Sequence, residues 1–186
     1  MTQRSRDSVL AEFWQQFGTA EPPELTSGPR PGVLDRRTIS QRIDAFLAKL
    51  TAPTDSAALL RAAALLYHDH QDDAHDLVSD RTDISAAFLH GILHRREPDY
   101  WNAKYWFRQC ELHPAHSILA ARLETWLNPQ EVAAARALTL PGTFDPFAFV
   151  DACDTSSRID SRSPEVAILR KIQHAEFEAI VQHLLA

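Results

Sequence analysis

The stretch HGILHRREPDYWNAKYWFRQCELHP, residues 90–114, decides how this chain reads. It opens inside a run, Ile84 to Arg95, in which Ala86, Ala87, Phe88, Leu89, Ile92 and Leu93 leave almost no polar face. A helix that is apolar all round is a buried one. Pro98-Asp99 then makes a tight corner, since proline cannot continue a helix. Beyond it Tyr100, Ala103, Phe107 and Cys110 recur at helical spacing, which aims one stripe of a second helix back at the first. The stretch is therefore the heart of a helical hairpin.

Working outward, the hairpin has a copy upstream. Ser56-Ala57-Ala58-Leu59-Leu60 matches Ser85-Ala86-Ala87-Phe88-Leu89 at an offset of 29 residues, and at that offset Ala62 falls on Gly91, Ala74 on Ala103 and Val78 on Phe107. Small residues at such points let two helices approach closely, and large apolar ones fill the interface. A repeat of this length is the mark of stacked helical hairpins. Thr54 or Asp55 is expected to cap the first helix of that copy.

On the N-terminal side, Leu10, Phe13, Trp14 and Phe17 form one stripe of an amphipathic helix that stops at Gly18. From there to Gly32 the chain holds Pro22, Pro23, Pro29 and Pro31 and three of its five glycines, an extended or mobile connector. Residues 1–36 are read as an N-terminal arm, docking on the body or pairing two copies as a homodimer, and residues 37–186 as a single all-α domain. Thr38 with Gln41 has the form of a capping box ahead of Ile39, Ile43, Phe46, Leu47 and Leu50. On the C-terminal side, His116 to Leu127 reads as a helix. Asn128-Pro129, Asp145-Pro146 and Ser163-Pro164 each place a capping side chain before a proline, a start signal for three more helices. No segment shows the alternation of a strand. The expected fold is all-α, a compact helical bundle containing two stacked hairpins.

Bulk properties narrow the function. The 186 residues are 45% hydrophobic, enough for a full core. A formal charge of -6, from 19 basic and 25 acidic residues, disfavours nucleic acid as a partner. Cys110 and Cys153 lack a paired spacing and read as reduced thiols, Cys110 as core packing among apolar neighbours. With no run of ~20 apolar residues and no signal-peptide pattern at the N-terminus, a cytoplasmic protein without a membrane partner is expected. Nucleotide-binding loops, nucleophile elbows and paired-cysteine zinc signatures are absent.

What remains is a histidine cluster. Seven of the nine histidines lie between His68 and His116. His90 and His94 stand four apart in the most apolar helix, and Glu97 follows three later, so all three share a face. At the 29-residue offset His68 is the counterpart of Glu97, with His70, Asp72 and His75 nearby. One reading is a metal site for zinc or iron with His68, His90, His94 and Glu97 as ligands. A second is a metal-free acid–base pocket using His90, His94 and Glu97. The third is structural, with the imidazoles hydrogen-bonded to Asp69, Asp72 or Asp76. Around this group Arg95, Trp101, Tyr105 and Arg108 are candidates to bind a small polar or anionic molecule. Arg95, Arg96 and Arg108 can equally be neutralised by Glu97 and Asp99.

Residues 54–114 also resemble tetratricopeptide repeats: Gly91, Ala103, Phe107 and Cys110 fall at the small-small-large-small positions, and Pro114 stands one residue before the terminal proline. The repeat is shorter than that family's usual length of about 34 residues. The stretch HRREPDYWNAKYWFR is similar to one found in a group of bacterial all-helical proteins without an assigned activity. The first resemblance implies an interaction module that holds a partner protein in a groove; the second implies no substrate.

Overall fold

The computed structural model describes residues 6–28, 30–50, 56–110 and 112–186, with Ala134 described through its backbone only. Ten α-helices follow one another among these: α1 (Arg6–Phe17), α2 (Arg36–Leu47), α3 (Ala57–Tyr67), α4 (Gln71–Val78), α5 (Ile84–Arg96), α6 (Tyr100–Gln109), α7 (Pro114–Trp126), α8 (Pro129–Ala135), α9 (Pro146–Ser156) and α10 (Pro164–Leu184). The fold is all-α, and no helix among the described residues is long and apolar enough to cross a membrane.

The starts of these helices follow the chemistry of their caps. Asn128 closes a full capping box with Glu131, Asp145 accepts from the N–H groups of Phe147 and Ala148, and Ser163 accepts from that of Val166, each just ahead of a proline in the first turn. For α2 the cap is Asp35, whose carboxylate accepts from the Thr38 N–H at 3.0 Å; the Thr38–Gln41 box is not formed. The carboxylate is placed to satisfy an orphan donor one turn earlier than Thr38 could. Pro114, expected to end the hairpin, is instead the first residue of α7, capped by His113. The proposed caps Thr54 and Asp55 lie outside the described residues.

The 29-residue repeat is visible in the backbone. At the end of α3 the N–H of His70 bonds the carbonyl of Leu65 at 3.0 Å, and that of Asp69 bonds Leu66 at 3.3 Å. With Asp69 at φ 67° this is a Schellman closure, an αL residue folding the chain back over the last turn. At the end of α5 the Asp99 N–H bonds His94 at 2.9 Å, while Pro98 stands where Asp69 does, without an N–H to contribute. The two turns therefore launch α4 and α6 alike, and the α3–α4 and α5–α6 hairpins stack with α5 against both α3 and α4. Gly91 lies under the ring of Phe107: a Cβ there would come within 2.7–2.8 Å of three ring carbons. The missing side chain is what lets α5 and α6 close.

The long α10 is the spine, touching α1, α3, α5, α7 and α9 and burying Ile172, Phe177, Ile180 and Val181. Each such side chain contributes about 1.5–3 kcal/mol of hydrophobic stabilisation. The N-terminal helix packs on this core, against α2 and α10. Phe13 and Phe17 are buried, and Phe13 meets Phe46 edge-on at 5.5 Å. The connector is tied down as well, through Gln173 to the carbonyls of Pro23 and Glu24 and Arg170 to that of Pro22. One small departure from an all-helical chain is a hairpin of two-residue strands, β1 (Thr139–Leu140) and β2 (Thr143–Phe144). Pro141 and Gly142 supply its turn, with Gly142 at φ 75°. Strands of two residues are too short to show alternation in sequence.

Candidate metal centre

His75 from α4 and His90 and His94 from α5 bring one nitrogen each to within 4.8 Å of one another. The four-residue spacing puts His90 and His94 on one face of α5, and their rings lie parallel, 3° apart in tilt with centroids 5.4 Å apart. His75 meets them edge-on, at 4.9 Å from His90 and 5.7 Å from His94. Behind His90 the indole of Trp106 lies flat against the imidazole at 4.0 Å. The group is thus walled by α6, lodged between α4 and α5, and reaches solvent through the half-buried His75.

Each imidazole has a distinct environment. His94 Nδ1 lies 3.1 Å from Glu97 Oε2, a contact that orients the ring and fixes its tautomer. His90 is 1% exposed, and its Nδ1 has no hydrogen-bond partner among the described residues. Leaving such an atom unpaired costs about 1–3 kcal/mol. Burial, then the nearby His75 and His94, push the His90 pKa down to about 4 and hold its ring neutral. Tetrahedral coordination at zinc–nitrogen lengths of about 2.0–2.1 Å sets donor atoms roughly 3.3 Å apart. Nitrogens within 4.8 Å of one another would close by up to about 1.5 Å to reach it. Three histidines also leave a fourth position for water or ligand.

An open cavity of about 380 Å³ adjoins this group through Glu97, lined further by Ser27, Asp69, His70, Gln71, Asp72 and Asp73. Its carboxylates make the approach negative, favourable to a cation. Asp69 is already engaged by Arg96 at 2.6 Å and Asp73 by Arg36 at 2.9 Å, which leaves Asp72 and Glu97 as the freer charges.

The residues expected from the sequence divide sharply. His90, His94 and Glu97 come together, with Glu97 touching His94 and outside the trio of grouped nitrogens. His68 is elsewhere: its Nδ1 accepts the Leu34 N–H at 3.1 Å, where it pins the connector. His75 takes the place assigned to it. Arg95 does not face a ligand. It is fully buried, paired with both oxygens of Glu176 at 2.9 and 2.5 Å and lying 4.3 Å over the Phe149 ring. Arg96 is buried too, bonding Asp69 and the carbonyls of Leu66 and Glu24. Trp101 and Tyr105 stack on each other on the outer face of α6, 75% and 43% exposed, with Arg108 also exposed. Trp106, the aromatic residue that does meet the histidines, was missed. Its only signal was position, since it lies off the Tyr100–Ala103–Phe107–Cys110 stripe of that helix.

Of the remaining histidines, His70 is held by the Leu34 carbonyl at 2.8 Å and His113 is structural by its contacts. His113 caps α7 through Nδ1 and meets Ser85 Oγ at 2.9 Å through Nε2. Both thiols are buried, and burial pushes Cys110 and Cys153 up to about 12, which makes them inert packing groups. Compared with protein-family models, curated proteins and solved structures, the chain has no match.

Proposed function

We propose that this protein binds a divalent metal, zinc or iron, through His75, His90 and His94, with Glu97 orienting His94, and that the open coordination position receives a small polar or anionic molecule. The observation that carries the reading is His90 Nδ1, a buried nitrogen without a partner among the described residues, in a group of three imidazoles that each bring one nitrogen to within 4.8 Å of the others. A carboxylate behind one ligand is the usual outer support of a metal-bound histidine. The metal would contribute Lewis-acid polarisation or a bound water acidified toward neutral pH. Three neutral imidazoles leave its charge uncancelled, which suits an anionic or polar ligand even though the approach itself is acidic.

Metal analysis of protein purified without chelator, followed by zinc and cobalt titration, tests this directly. One equivalent is expected, lost in His75→Ala, His90→Ala and His94→Ala and kept in His68→Ala; cobalt should give the visible absorption of a tetrahedral site. Absence of bound metal at any stoichiometry, with unchanged protein after titration, would sink the proposal. The exposed Trp101–Tyr105 stack favours a second reading, a tetratricopeptide-like module that docks a partner protein on the outer face of α6. In that case Trp101→Ala with Tyr105→Ala would abolish partner capture and leave metal content untouched.

A further inference from the structure

A second pocket shares no lining residue with the histidine trio. Thr19, Pro22, Tyr67, Leu123, Trp126, Lys171 and His174 are among the residues that line a cavity of about 430 Å³. That size and a mainly apolar wall with a few fixed polar groups are the usual features of a small-molecule site.

The polar groups form a chain. Tyr67 Oη lies 3.1 Å from His174 Nδ1, and His174 Nε2 lies 3.6 Å from Glu178 Oε1, itself held by Arg122. The Nε2–Glu178 contact is too long for a hydrogen bond, but a carboxylate on that side favours the ring proton on Nε2, with Tyr67 then donating to Nδ1. Burial and the nearby Arg122 and Arg30 push His174 down to about 4, so the chain is uncharged apart from the Glu178–Arg122 pair. Trp126 leans over the His174 ring at 5.9 Å and 33°, and Trp14 backs both Tyr67 and His174.

Charge selects the ligand. Arg30 lies 5.6 Å over the Tyr67 ring and Arg122 5.0 Å over that of Trp126, so the aromatic faces that would attract a cation already have one. Lys171 adds an ammonium at the pocket wall. One of its three N–H groups is engaged by Glu131 Oε1, which leaves two for a ligand. A planar ring and a carboxylate therefore match this wall, and a quaternary ammonium does not.

We propose that this pocket binds a planar aromatic carboxylate, its ring against Trp126 and His174, its carboxylate on Lys171 Nζ, and a polar edge read by the Tyr67–His174–Glu178 chain. The site works without the metal centre.

Isothermal titration with 2-naphthoate tests it, alongside the uncharged 2-naphthamide and the non-aromatic cyclohexanecarboxylate, with side-chain NMR shifts of His174 and Trp126 as the locator. Saturable binding of 2-naphthoate is expected in chelator-treated and untreated protein alike, at least tenfold tighter than cyclohexanecarboxylate. Lys171→Met should weaken 2-naphthoate at least tenfold and leave 2-naphthamide unchanged, and Trp126→Ala should weaken both. Lys171 and Trp126 are about half exposed, so these variants keep the fold. Glu131→Gln, which preserves the helix cap while releasing the lysine, should tighten 2-naphthoate several-fold. No saturable binding, equal affinity in Lys171→Met, or shifts confined to residues outside the pocket would each overturn the assignment.

Discussion

Replacing Gly91 by alanine sets two effects of known size against each other. In an exposed helix the change stabilises by about 1 kcal/mol, because glycine is the poorer helix former. Here the new Cβ would stand 2.7 Å from Cζ and 2.8 Å from both Cε atoms of Phe107. Ordinary carbon contacts begin near 3.5 Å, so the ring would have to retreat by about 0.8 Å. It has little room, with Phe88 edge-on at 5.9 Å, His116 at 6.3 Å and the Arg95 guanidinium 5.9 Å from its centroid. Overpacking costs about 1–3 kcal/mol, and a ring blocked on three sides belongs at the upper end. Net destabilisation should be about 1–2 kcal/mol, or a fall in Tm of about 2–8 °C for a chain of this size. Urea denaturation and calorimetry of Gly91→Ala, Phe107→Leu and the double variant would measure it. The leucine removes the ring tip, so the double variant should lie at least 1 kcal/mol above the sum of the singles. A Gly91→Ala protein as stable as the parent, or strict additivity, would refute the account of how α5 and α6 close.

Other expectations follow from the same contacts. Arg95→Ala strands the buried Glu176 carboxylate and should cost about 3–5 kcal/mol, whereas Arg95→Met with Glu176→Leu should restore most of the loss; chemical denaturation distinguishes the two. Burial holds His68 and His116 at about 4, and burial with His183 and His116 close by holds His113 at about 3. These folded-state values lie below the unfolded 6.5, so their stabilisation is complete above pH 6.5 and declines as pH falls toward 4. At 1.36 kcal/mol per unit each could withdraw about 3 kcal/mol or more, enough together to exhaust a typical stability of about 5–15 kcal/mol. Circular dichroism should therefore show acid unfolding between pH 6 and 4; a protein still folded at pH 4 would contradict this. Zinc at a hundredfold excess over its Kd should add about 2.7 kcal/mol of stability, raising Tm by about 5–11 °C. The rise should vanish in His75→Ala and persist in His68→Ala.

Much of the architecture was legible in residues 56–114 alone. Helix period, caps and the 29-residue offset are local properties, and the backbone turns at Asp69 and Pro98 repeat at the same offset. His90 and His94 were legible for the same reason: four residues along a helix is a fixed geometry, independent of what packs against it. The close approach at Gly91 was likewise readable, because a glycine in an apolar helix opposite a phenylalanine has one simple use.

Tertiary structure decided the rest. Whether His68 or His75 joins the pair on α5 depends on how far α4 lies across it, and His68 was diverted by a backbone N–H at Leu34, 34 positions away in sequence. Arg95, beside the histidines in sequence, looks like a ligand clamp until Glu176, 81 residues on, neutralises it in the core. On α6, one residue separates exposed Tyr105 from Trp106 on His90, a turn of about 100° that spacing permits but cannot orient. Periodicity says which residues share a face; only packing of distant helices says what that face meets, because those contacts join residues whose separation along the chain carries no geometric information. Sequence thus determined an all-α chain with two imidazoles on one buried helix, and the fold alone supplied the third.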